Sequence, residues 1–100
     1  MSEHQDDPAE LEQLDASGLF DAAWYLVQYP DVRDSELEPL IHFYRYGWRE
    51  RRKPNRYFDP EWYLEHYPDV REAGMNPLLH YLRHSFRYHP KVLSAYEHVG

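Results

Sequence analysis

At 62–72 the chain reads WYLEHYPDVRE, and at 24–34 it reads WYLVQYPDVRD. A shift of 38 residues aligns 20–53 with 58–91 without a gap, and 16 of those 34 positions are identical. The matched pairs include Phe20/Phe58, Asp21/Asp59, Trp24/Trp62, Tyr25/Tyr63, Leu26/Leu64, Tyr29/Tyr67, Pro30/Pro68, Asp31/Asp69, Val32/Val70, Arg33/Arg71, Pro39/Pro77, Leu40/Leu78, His42/His80 and Arg45/Arg83. A period near 38 residues lies among helix-pair repeats, whose units stack because one alone cannot cover its apolar face.

Each copy divides in the same way. In FDPEWYLEHY, Asp59 is placed to cap a helix, Pro60 suits its first turn and Glu61 favours the positive end of the dipole. Asp21 does the same in the first copy, with Ala22 in place of the proline. The following YPDV stops this helix, because proline disfavours helical geometry in the residue before it; Asp31 or Asp69 then caps a further short turn. A second helix starts at Asn76-Pro77 and carries Leu78, Leu79, Tyr81 and Leu82 at helical spacing; Leu40, Ile41, Phe43 and Tyr44 match them, with Gly47 a helix stop. No segment alternates with period two for long. The expected fold is all-α: two tandem helix-pair repeats packed as one small helical domain.

The expected core is Trp24, Tyr25, Leu26, Tyr29, Leu40, Tyr44, Trp62, Tyr63, Leu64, Tyr67, Leu78 and Leu82. Burying such rings contributes roughly 2–3 kcal/mol each, so Trp62→Ala is expected to unfold the domain. Residues 16–100 form the domain: repeat one at 20–57, repeat two at 58–91 and a C-terminal cap at 92–100. Residues 1–15 are expected to form an acidic, flexible arm. Residues 1–19 hold six acids and no Lys or Arg, against twelve acids and eleven bases in the remainder. The formal charge of −7 therefore resides mostly in this arm.

LDASGLFDAAWYLVQYPDVRDSELEPLIHFYRYGWRERRKPNRYFDPEWYLEHYPDV, at 14–70, resembles the tandem repeats that accompany bacterial glycosyltransferases and polysaccharide-biosynthesis proteins. Those repeats run as Phe-Asp-x-x-Trp-Tyr-Leu, Pro-Asp-Val, Pro-Leu-x-His-Tyr, a Gly-containing turn with Arg, then Pro and the next Phe-Asp. The likeness covers about 14–91. It implies an appendage beside catalytic domains, with no reaction of its own. The second copy departs from the pattern: HSFRYHP replaces the Gly turn and the basic run, and VLSAYEHV is read as the cap.

No catalytic constellation is legible. The five Ser stand outside any nucleophile elbow, the four Gly make no phosphate loop, and Cys is absent, which removes disulfides and thiolate metal sites. His80 and His84 have metal-capable spacing but no third ligand set by sequence. His42 and His80 are expected to bond the adjacent YPDV turn, away from the apolar stripe. No cofactor and no metal are assigned, and an enzyme is not expected. No apolar run reaches the ~20 residues of a membrane span, and the N-terminus is unlike a signal peptide, so a cytoplasmic protein is expected.

The run RYGWRERRKPNR interleaves arginines with aromatics, a composition suited to nucleic acid. The acidic balance, at pI ≈ 5.4, argues against that target. A contact for an acidic protein surface, or for the chain's own acidic arm, fits better. The expected function is a non-catalytic protein-protein interaction module, an adaptor or regulator of a bacterial glycan-synthesis enzyme. Its contact residues are Trp48, Arg49, Arg52 and Tyr46, supported by Arg45, because Arg and aromatic side chains anchor interfaces. An alternative is a small acidic inhibitor or nucleic-acid mimic, using the carboxylates of 3–15 with Asp31, Asp34, Glu36 and Glu38. A third is a homo-oligomer whose stack ends pair.

Overall fold

Six of the eight prolines stand at the first position of a helix. The missing N–H costs nothing there, and the fixed φ is already helical. A computed structural model describes residues 6–85, and these are helical with turns between; no strand occurs among them. Helix α1 is Pro8–Ser17, α2 Ala22–Gln28, α3 Pro30–Ser35 and α4 Pro39–His42, which runs on into a π-helical turn at Phe43–Gly47. After a linker come α5 Pro60–His66, α6 Pro68–Ala73 and α7 Pro77–His80, with a second π-helical turn at Tyr81–Ser85.

Caps set the starts. The Asp21 carboxylate accepts from the Trp24 N–H, that of Asp59 from Glu61 and Trp62, and the Asn76 side chain from Leu78. The YPDV segments are a correction to the sequence reading. Tyr29 and Tyr67 take extended φ/ψ of −125°/80° and −130°/72°, which satisfies the restriction before proline. The proline then opens a new six-residue helix instead of ending the structure. Each copy of the sequence repeat is thus a triad of helical segments, where a pair was expected.

The N-terminal segment is a second correction. Its last ten residues before Gly18 are helix α1, capped by Asp7 and closed by Gly18 at φ 73°. Leu14 is fully buried. Helix α1 packs against both α4 and α7, whereas α2–α4 and α5–α7 otherwise pack within their own triads. Leu14, Leu19, Tyr25, Val32, Phe43, Phe58, Tyr63, Leu78 and Tyr81 fall in one buried cluster.

Of the expected core, Tyr25, Tyr63, Leu64, Leu78 and Leu82 are buried. Leu26, Tyr29, Leu40, Tyr44 and Tyr67 are partly buried against the cluster. Trp24 is half-buried. Trp62 is a third correction: it is 54% exposed and stacks on His66 at 3.8 Å between ring centroids. The end of repeat two and the cap expected at 92–100 lie outside the described residues.

Asn55 ties the linker to the first triad. Its Nδ2 donates to the Leu19 carbonyl (2.6 Å), and its Oδ1 accepts from Tyr57 N–H (2.7 Å) and Phe58 N–H (2.8 Å). Asp21 N–H donates to the Pro54 carbonyl, and Lys53 N–H to the Tyr29 hydroxyl.

Leu14→Ala is expected to cost about 3 kcal/mol, the transfer and cavity loss of a fully buried leucine. Trp62→Ala is expected to cost about 1 kcal/mol or less, since it removes little more than one exposed ring stack. Urea denaturation ranks the two; the reverse order would contradict the placement of α1. A second expectation concerns the cap of α3. Glu36 holds φ 66° where the second copy has Gly74 at φ 68°. A left-handed residue with a Cβ costs roughly 1–2 kcal/mol, partly offset by the greater unfolded-state freedom of glycine. Glu36→Gly is therefore expected to raise stability by about 0.5 kcal/mol and Gly74→Ala to lower it, both readable as shifts in the same denaturation midpoint.

Candidate functional site

Beneath each triad a tyrosine from the WYL helix reaches a histidine on the PL helix. The Tyr25 hydroxyl lies 3.0 Å from His42 Nδ1, and that of Tyr63 2.6 Å from His80 Nδ1. His42 is buried, and His80 is largely covered. The sequence reading put these rings away from the apolar stripe and bonded to YPDV; they point inward to tyrosines. Burial holds His42 below the ordinary histidine value, with Arg52 adding to the effect. His80 is lowered by burial and by His84. Burial also pushes the Tyr25 hydroxyl far up, so it stays protonated and serves as the donor to a neutral imidazole. Gly47, five residues after His42, has no room for a side chain: a Cβ there would collide with the Tyr25 hydroxyl. Gly47 is therefore needed for space. The left-handed residue that turns the chain is Arg51, at φ 62°.

This inner bonding leaves Tyr44, Arg45 and Trp48 for the face that meets α1. The Tyr44 hydroxyl donates to Glu10 Oε1 (2.6 Å) and accepts from Asp7 N–H (3.2 Å). Burial and the Glu10 carboxylate together raise its pKa. Arg45 forks onto Asp6, with Nε 3.1 and 3.2 Å from the two oxygens and Nη2 at 2.7 Å. Arg83 Nη2 reaches Glu10 Oε2 at 2.9 Å. Arg45 and Arg83, equivalent in the repeat, are thus both held by acids of the N-terminal segment four residues apart.

A cleft of about 330 Å³ opens beside these pairs. Trp48 and Arg49 form one side; Gly74, Met75, Asn76 and Leu79 form the other. The Arg49 guanidinium lies 4.5 Å over the Trp48 ring. Asn76 presents Oδ1 to Leu78 N–H as the cap of α7, which fixes the amide orientation. Its Nδ2 is left buried with no hydrogen-bond partner. An unmet buried donor of this kind costs roughly 1–3 kcal/mol.

The five contact residues expected from sequence are divided by the fold. Trp48, Arg49 and Arg45 line the cleft together. Arg52 does not: it is bidentate to Asp31 (2.9 and 2.8 Å), bonds Glu50 and covers the Tyr29 ring at 4.7 Å. That pairing holds the Asp31 carboxyl below its usual range. Tyr46 is half-buried, with its ring 5.8 Å from His42. Asp6, Glu10, Met75, Leu79 and Arg83 complete the cleft and were not singled out as contacts. The repeat pair Arg45/Arg83 was the available signal, together with an acidic segment lacking bases.

No group of three or more His, Asp or Glu placed to hold a metal occurs among the described residues. None of their helices is long and apolar enough to cross a membrane. No family model, curated protein or solved structure matches the chain.

The histidine environments set a pH response. Folded values below the unfolded ~6.5 mean the unfolded chain binds more protons in that window, so stability is intact above about pH 6.5 and is lost as pH falls through the folded values. The thermal midpoint is expected to fall between pH 7.5 and pH 5, with a slope of at most about 1.4 kcal/mol per pH unit for each ring. Imidazole titration by NMR should place His42 and His80 below the ordinary value; a midpoint above 6.5 for either would contradict the buried tyrosine-histidine pairing.

Proposed function

We propose that this chain is a non-catalytic protein-binding module of two tandem helical repeats packed as one domain, an adaptor or regulator of a bacterial glycan-synthesis enzyme. The observation that carries this reading is the Trp48–Arg49 stack at the mouth of the cleft. An exposed arginine on a half-buried tryptophan, beside an opening lined by Met75 and Leu79, has the make-up of an interface anchor. The link to glycan synthesis rests on the resemblance of the repeated motif to the repeats beside glycosyltransferases. The module acts by scaffolding or occlusion.

The acidic-mimic alternative has less support. Asp6, Glu10 and Asp31 direct their carboxylates to Arg45, Arg83 and Arg52 instead of outward. A homo-oligomer pairing through the same face is the remaining alternative, and gel filtration at two concentrations separates it.

Affinity capture from the host with the wild-type chain is expected to recover a glycan-synthesis enzyme. Trp48→Ala/Arg49→Glu should lose it while keeping the wild-type circular dichroism. A chain neutralised at the exposed Glu12, Asp15, Asp34, Glu36 and Glu38 should retain it. Loss with the neutralised chain and retention with the cleft variant would reverse the assignment in favour of mimicry.

A further inference from the structure

The polar inventory of the cleft is lopsided. Three arginines face it, Arg45, Arg49 and Arg83, against two carboxylates, Asp6 and Glu10. Both carboxylates are already engaged, on Arg45 and on Tyr44 with Arg83. Arg49 has no carboxylate partner among the described residues, and its cationic contact is the Trp48 face. The Asn76 amide adds an unmet donor in the wall, with its orientation locked by capping. Every unpaired polar group here donates, so the missing ligand accepts.

The geometry selects among acceptors. Arg45 holds Asp6 in a two-pronged, coplanar fork, the arrangement suited to a carboxylate. The segment that supplies Asp6 and Glu10 is itself an acidic peptide, already seated at one end of the cleft. Trp48, Met75 and Leu79 offer apolar surface beyond the arginines, which a flanking side chain can cover and a free inorganic anion cannot.

We infer that the cleft between the π-helical end of α4 and the start of α7 is a receptor for an acidic peptide segment of a partner protein, and that Asp6 and Glu10 occupy its arginines in cis in competition with that segment. The inference rests on the protein-binding reading above and names the partner's chemistry and its regulation. The incoming carboxylate pairs with Arg49 first, since that guanidinium has no acid to displace. A second carboxylate exchanges with Asp6 on Arg45 or with Glu10 on Arg83. Anything that neutralises or withdraws the N-terminal acids raises affinity.

The test uses the full chain and a fluorescein-labelled peptide of its own residues 3–12, EHQDDPAELE, read by fluorescence anisotropy. Binding to the wild type is expected to be weak, and Asp6→Asn/Glu10→Gln should tighten it about tenfold, the worth of freeing two charge-assisted contacts. Arg49→Glu, which leaves both cis pairs in place, should weaken binding at least about fivefold in either background. Circular dichroism on each variant checks that α1 remains helical. Inorganic phosphate at matched ionic strength should not displace the peptide; displacement overturns the carboxylate assignment. Peptide binding unaffected by Arg49→Glu overturns the site. No tightening in a helical Asp6→Asn/Glu10→Gln chain overturns the competition. Absence of peptide binding in a chain that still captures its enzyme through Trp48 and Arg49 overturns the acidic-peptide assignment and leaves the module reading standing.

Discussion

Helix α1 is the constraint on which the rest depends. The helical segments of this chain are four to ten residues long, well short of what holds a helix in water unaided. They persist only through burial, and the two triads meet chiefly across α1. Leu14 fills the apolar part of that junction, and Glu10 the polar part, with one oxygen on Tyr44 and the other on Arg83. A single carboxylate thereby links residues 34 and 73 positions away in the chain. The opening between the π-helical end of α4 and the start of α7 is a consequence: its width is set by how α1 seats against both.

The inner face of each triad positions the outer one. Tyr25 must reach His42, and its hydroxyl must also clear the backbone at Gly47. His42 and Gly47 stand five residues apart, a spacing that an α-helix does not bring to one face, and the chain widens into a π-helical turn there. That turn presents Tyr44 and Arg45 to α1 and delivers Trp48 to the cleft. The second copy has the same tyrosine-histidine contact followed by the same kind of turn, and Arg83 lies within it. The binding face is thus specified from beneath, by a buried hydrogen bond and a residue without a side chain.

The caps Asp21, Asp59 and Asn76, the first-turn prolines and the absence of strands were legible because each is a local rule. Three features were not. The Tyr-Pro dipeptide was read as a stop because the restriction on the preceding tyrosine is real, yet the same proline is a preferred first residue, and the chain has room for one more turn. Trp62 was read as core because aromatic burial is the usual outcome; with Tyr63 facing inward beside it, the neighbouring position faces out, and His66 one turn later takes the ring instead. Helix α1 was hidden by its acids. Leu11 and Leu14 give a narrow apolar stripe, and the charge that suggested a solvated arm is what the repeated arginines hold. In the cleft, Trp48, Arg49 and Arg45 were legible from residue type alone. Arg52 was not separable from them, since its partner Asp31 lies 21 residues away.

The strength of these ion pairs bears on recognition. Arg45–Asp6 and Arg83–Glu10 keep a quarter or more of most of their side-chain surface exposed, and such pairs contribute about 0–1 kcal/mol. Exchanging one carboxylate for another on the same arginine therefore changes little in free energy, and the balance falls to what the exchange adds. That addition is apolar contact with Trp48, Met75 and Leu79 and a carboxylate for Arg49. Long-range field opposes approach, because the chain carries a net −7 and an acidic partner is repelled until it reaches the arginines. A cleft of this kind favours a ligand with a local acidic group on an apolar stem over one with diffuse negative charge, which gives a physical reason for a protein segment, and not a polyanion, as its occupant.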